Sequence, residues 1–135
     1  MTWSTFRNVM QLTLALAAGH AAAQNPNPGC QIPSFSGASS PRGTVATMTV
    51  VNDGNSCGTS LYGIPAERRN PATQGAITAE PKHGKAEFVE SRVQYTPAAG
   101  YVGDDEFSFE AWAVGTSNRP VQLKVQMKVL VRAPQ

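Results

Sequence analysis

The residue types that build most metal and redox sites are scarce in this 135-residue sequence, which holds two cysteines and two histidines. Cys30 and Cys57 form no Cys-x-x-Cys pair and have no histidine beside them, so the spacing of a zinc or thioredoxin-type site is missing. His20 lies in a leader-like segment, which leaves His83 alone in the remainder. A histidine metal site needs several partners, and a catalytic triad needs a nucleophile and an orienting group. Neither can be assembled around His83, so the sequence is read as non-enzymatic and implies no cofactor. A strong charge excess is also missing. With 11 basic and 9 acidic residues, there is no electrostatic argument for nucleic acid or for acidic lipid. No apolar run reaches the roughly 20 residues of a spanning helix, and none after the leader approaches it, so no membrane insertion is expected.

What is present begins with an export signal. Arg7 supplies a short basic region, Val9 to Ala18 an apolar one, and Ala21-Ala22-Ala23 the small residues of a cleavage site. The expected cut precedes Gln24. Residues 1–23 are thus read as a signal peptide, 24–29 (Gln-Asn-Pro-Asn-Pro-Gly) as a flexible linker, and 30–135 as one domain. The mature 112 residues suffice for one modest core, and the expected location is periplasmic or extracellular. In an oxidising compartment two cysteines most often pair. A Cys30–Cys57 bridge, 27 residues apart, would contribute roughly 3–4 kcal/mol in the chain-entropy picture.

The domain reads as all-β. Gly43 to Val51 is rich in β-branched residues, and Asn52-Asp53-Gly54-Asn55 follows as a turn. Cys57–Tyr62, Ala76–Glu80, Lys85–Val89 and Arg92–Thr96 are shorter strands. In Asp105–Val114, Phe107, Phe109 and Ala111 share a face opposite Glu106, Ser108 and Glu110, with Trp112 on that polar face. The last strand alternates most regularly: Val121, Leu123, Val125, Met127, Val129 and Val131 against Gln122, Lys124, Gln126 and Lys128. Such alternation predicts a half-buried antiparallel strand. About seven strands with turns every 8–12 residues suggest a sandwich or barrel. Pro65 to Gly75, with two prolines and no period, is the longest irregular stretch.

Two segments carry a resemblance. Pro81-Lys82-His83-Gly84-Lys85-Ala86-Glu87 and Gln94-Tyr95-Thr96-Pro97-Ala98-Ala99-Gly100-Tyr101-Val102-Gly103-Asp104-Asp105-Glu106-Phe107-Ser108-Phe109 resemble the bacterial Ig-like modules of large surface proteins, which are cadherin-like sandwiches. The match runs from Glu80 to the end of the last strand, about 50 residues. The resemblance implies an Ig-like antiparallel β-sandwich of about seven strands with one disulfide. It also implies a binding or structural role through protein or glycan contact in the cell envelope. Gly100 and Gly103 suit a corner with positive φ. Tyr95 and Tyr101 are expected to pack their rings inward and send hydroxyls to backbone carbonyls.

Candidate sites are few. Arg68 and Arg69, with Arg42 a possible third, form a basic patch for an anionic partner; Trp112, with Tyr62 and Tyr101, marks a contact surface. No metal site is expected; Asp104 and Asp105, followed by Glu106, are only weak candidates for calcium ligands, which Asp53 and Asn55 could join only if the fold brought their turn close. Two alternative functions follow: an inhibitor or accessory subunit inserting the Pro65–Gly75 loop into a periplasmic enzyme, and a calcium-dependent adhesion module.

Overall fold

Apolar residues at every second position account for the longest elements. The computed structural model describes residues 28–135, so the segment read as a signal peptide and most of the stretch read as a linker lie outside the described residues. Within them the chain forms eight strands: β1 (Cys30–Gln31), β2 (Thr44–Val51), β3 (Cys57–Ser60), β4 (Gln74–Ala79), β5 (Gly84–Val89), β6 (Arg92–Pro97), β7 (Gly103–Val114) and β8 (Pro120–Arg132). Pro97 is the last residue of β6, where its missing N–H costs the ladder nothing further along.

The strands divide into a five-stranded sheet, β1-β2-β8-β7-β4, and a three-stranded sheet, β3-β6-β5. This is the all-β sandwich the sequence suggests, with two corrections. The strands number eight because β1, only two residues long, leaves no periodic trace in the sequence. The larger sheet is also mixed. β8 is antiparallel to β7 along its length but parallel to β2, from Thr44 opposite Val125 to Val51 opposite Arg132. A period of two fixes which face is buried and is the same for either direction of a neighbour. The alternation in β8 therefore could not reveal the parallel partner.

The inward faces meet as the patterns require. Ala46, Met48 and Val50 from β2, Val93 and Tyr95 from β6, Phe107, Phe109 and Ala111 from β7, and Leu123 to Val131 at alternate positions of β8 are all buried. Tyr95, Phe107 and Phe109 form an aromatic column, with ring centroids 5.6 and 6.0 Å apart, within the range of favourable ring contact. The Cys30–Cys57 disulfide joins β1 of the larger sheet to β3 of the smaller one.

Close approach of β4 to β5 depends on one glycine. A Cβ at Gly75 would lie 2.4 Å from the ring of Phe88. Gly75→Ala is expected to cost about 1–3 kcal/mol through overpacking. Urea unfolding should show a lower midpoint at an unchanged slope. An unmoved midpoint would mean that the Phe88 ring swings aside freely.

Candidate functional site

The inward parity of β7 carries its first buried residue, Asp105, into line with Phe107 and Phe109. Its carboxylate is 9% exposed and accepts four hydrogen bonds. Oδ1 takes the Lys82 and Glu106 amides at 3.0 and 2.9 Å, and Oδ2 takes the His83 amide and the Tyr95 hydroxyl at 3.0 and 2.7 Å. Burial alone would push the Asp105 carboxyl up. The four bonds, led by Tyr95, outweigh it and hold the carboxyl below the ordinary aspartate value. Burial first, then the bond and charge of Asp105, push the Tyr95 phenol well above its ordinary value. Neither group changes protonation near neutral pH.

The rest of the motif closes round this carboxylate. Tyr95 is buried as expected, but its hydroxyl meets Asp105 and not a backbone carbonyl, because the inward-facing acid offers a charged acceptor at the end of the aromatic column. Tyr101 does donate to a backbone carbonyl, that of Asp104. Its ring lies only partly buried, stacked on the His83 imidazole at 4.1 Å and 6° between planes. The His83 carbonyl accepts the Ala98 amide at 2.8 Å. The Asn52 side chain reaches across to the carbonyls of Ala98 and Tyr101 at 2.8 and 3.0 Å. Gly100 and Gly103 take φ of 77° and 138°, the region a corner needs and only glycine enters freely.

The carboxylates of this corner are largely committed to the fold, although an open depression of about 470 Å³ lies beside them, lined by Lys82, His83, Asp104 and Glu106. Both oxygens of Asp105 are engaged, Glu106 accepts the Gln126 side-chain amide at 2.7 Å, and Asp53 caps its own turn through the Asn55 amide at 2.9 Å. Asp104 is exposed. Among the described residues no three of His, Cys, Asp and Glu converge as a metal-holding group.

Away from this corner, a groove of about 440 Å³ lies between two non-consecutive segments. Ile32 and Phe35 stand on one wall, Tyr62 and Ile64 on the other, and the buried Leu61 and Leu123 lie between them. Tyr62 bridges to Pro71, while the Gly63 and Ala72 amides donate to the Asn70 and Leu61 carbonyls. The stretch from Pro65 to Gly75 is thus stitched to the end of β3, makes a 3-10 turn over Ala66–Arg68, and enters β4 at Gln74. Arg69 follows that turn in the left-handed region, with its guanidinium carbon 5.6 Å from the Tyr62 ring centre, a cation–π distance.

The candidate residues from the sequence are therefore dispersed. Arg69 borders the groove, and Arg68 is exposed at the end of its turn. Arg42 lines a separate depression with Glu110 and Lys124, on the outer face of the larger sheet. Trp112 stands on that outer face, 36% exposed, between Gln74 of β4 and Gln122 of β8. Ile32, Phe35 and Ile64 were missed. They are isolated apolar residues in loops without a period, and only the fold brings them together. No protein-family model matches the sequence, and no curated protein matches it.

Proposed function

We propose that this chain is an exported, non-enzymatic binding module of immunoglobulin-like fold, acting by contact with a protein or glycan of the cell envelope. The observation that carries this reading is the groove. It is open, lined by apolar side chains interspersed with serine and threonine, flanked by Tyr62 and Arg69, and made of residues outside the corner that stabilises the fold. The strand order supports the fold family. Lettered B to G, strands β3 to β8 give a B-E-D sheet and a C-F-G sheet, as in a constant-type immunoglobulin sandwich, with β2 alongside the last strand. The disulfide fits an oxidising compartment, and no helix among the described residues is long and apolar enough to cross a membrane.

A photo-crosslinking amino acid placed at Tyr62, compared with one at Val45, tests the reading in exporting cells. Val45 is 53% exposed and lies outside the groove. The expected result is a discrete adduct from position 62 that position 45 does not give. Equal adducts from both positions, or none from either, would overturn the assignment of the groove.

A further inference from the structure

The smaller sheet ends at the groove. β3 is its edge strand and, among the described residues, pairs only with β6. The Leu61 amide donates to the Ser91 carbonyl at 3.1 Å, on the β6 side. Successive amides of an extended chain alternate in direction, so those of Ser60 and Tyr62 turn the other way, toward the groove that both residues line. The Tyr62 amide meets no backbone acceptor among the described residues. Across the groove the chain from Ile32 to Ser39 forms no strand, so no described residue continues the sheet there.

The edges at β4 and β5 are blunted, whereas β3 is covered by a charge at one point, where the Arg92 guanidinium donates to the Gly58 carbonyl at 3.1 Å. β5 carries Lys85 and Glu87, and β4 is interrupted by a register shift between Ile77 and Ala79. Charges and bulges are the usual means of keeping an edge from pairing. β3, Cys-Gly-Thr-Ser, has neither charge nor proline of its own, and beyond Gly58 its Ser60 carbonyl meets, among the described residues, only the adjacent Thr59 hydroxyl at 3.4 Å.

We infer that the groove receives an extended peptide, which joins β3 as a fourth strand of the smaller sheet. The inference rests on the reading of the groove as the contact site and names the kind of partner. Main-chain bonds to the edge supply affinity, and pockets for alternate side chains supply selectivity. Ile32, Phe35, Leu61 and Ile64 accept apolar side chains at every second position of the guest. Arg68 and Arg69 outnumber Glu67 at the Tyr62 end, which favours an acidic residue beside the apolar run.

The probe is a nine-residue peptide alternating valine and threonine between terminal glutamates. The ¹⁵N-labelled protein is titrated with it and with two N-methylated forms, each blocking the amides along one edge of the peptide. The unmodified peptide is expected to shift the Ser60 and Tyr62 amide signals and slow their exchange. One methylated form should bind equally well, and the other at least tenfold more weakly. No binding by the unmodified peptide, or equal binding by both methylated forms, overturns strand addition. A crosslink at position 62 together with no peptide binding retains the contact site and overturns only the strand inference. Concentration-dependent self-association blocked by the groove crosslinker would make a second copy the occupant and overturn a foreign peptide.

Discussion

Replacing Asp105 by Asn is expected to destabilise the domain by about 2–4 kcal/mol, because the substitution leaves buried donors unsatisfied. The carboxylate accepts from three backbone amides and one phenol. An asparagine turns one of its two oxygens into a donor. If the new NH₂ takes the Oδ1 position, it faces the Lys82 and Glu106 amides. If it takes the Oδ2 position, the Tyr95 oxygen can turn acceptor, but the His83 amide is orphaned. Total stability for a domain of this size is about 5–15 kcal/mol, so the melting temperature should fall by roughly 10–20 °C. The pH dependence separates this cause from simple misfit. The Asp105 carboxyl is held below its unfolded value, so its contribution is complete above about pH 4 and is lost as pH falls through the folded value. Protonated aspartate resembles asparagine. The gap between the two proteins should therefore be widest at neutral pH and close as the solution is acidified. Equal melting temperatures at pH 7, or a gap that stays constant down to pH 2.5, would remove the carboxylate from its central role. Tyr95→Phe, which deletes one of the four bonds, should cost about 1.5–3 kcal/mol without that acid signature vanishing.

Much of the architecture was legible because side-chain period reports burial directly. The inward residues of β7 and β8 were readable one by one, and both corner glycines take the positive φ their positions suggested. The same parity also placed Asp105 on the inward face with Phe107. That signal was in the sequence, yet grouping Asp105 with its neighbours Asp104 and Glu106 hid it, although the three alternate between faces. Other features were beyond local pattern. Nothing in β2 or β8 records that the two run parallel. The groove unites Phe35 with Tyr62 across a sheet boundary, and Phe35 sits in a Ser/Gly/Pro-rich loop that carries no period. The motif that carries the family resemblance proved to be a set of mutually satisfied bonds. Lys82 and His83 give their amides to Asp105, Tyr101 covers His83, and Asn52 ties the corner to the turn after β2. Conspicuous residues thus stabilise the fold, and the groove is lined by inconspicuous ones.

Removing the disulfide, as Cys30→Ala with Cys57→Ala, is expected to lower the melting temperature by roughly 12–25 °C. The bridged residues are 27 apart in sequence, and releasing a loop of that size returns roughly 3–4 kcal/mol of chain entropy to the unfolded state. The double alanine change avoids leaving a lone thiol at Cys57, which is fully buried. A local effect should accompany the global one. β1 is held by two register positions on β2 and by the bond from the Val51 amide to the Gly29 carbonyl. Beyond it, the wall of the groove is next tied down where the Lys124 amide meets the Ala38 carbonyl. Without the bridge, hydrogen exchange over residues 30–37 should quicken by a local opening, well before the rest of the sheet exchanges. Peptide affinity at the groove should fall with it, because an unanchored wall must be ordered on each binding event. A melting temperature within about 3 °C of the parent protein would show that the sandwich holds both sheets together without the bridge. Unchanged exchange over residues 30–37 would show that the wall is fixed by its own packing, with Ile32 and Phe35 anchoring it against the core.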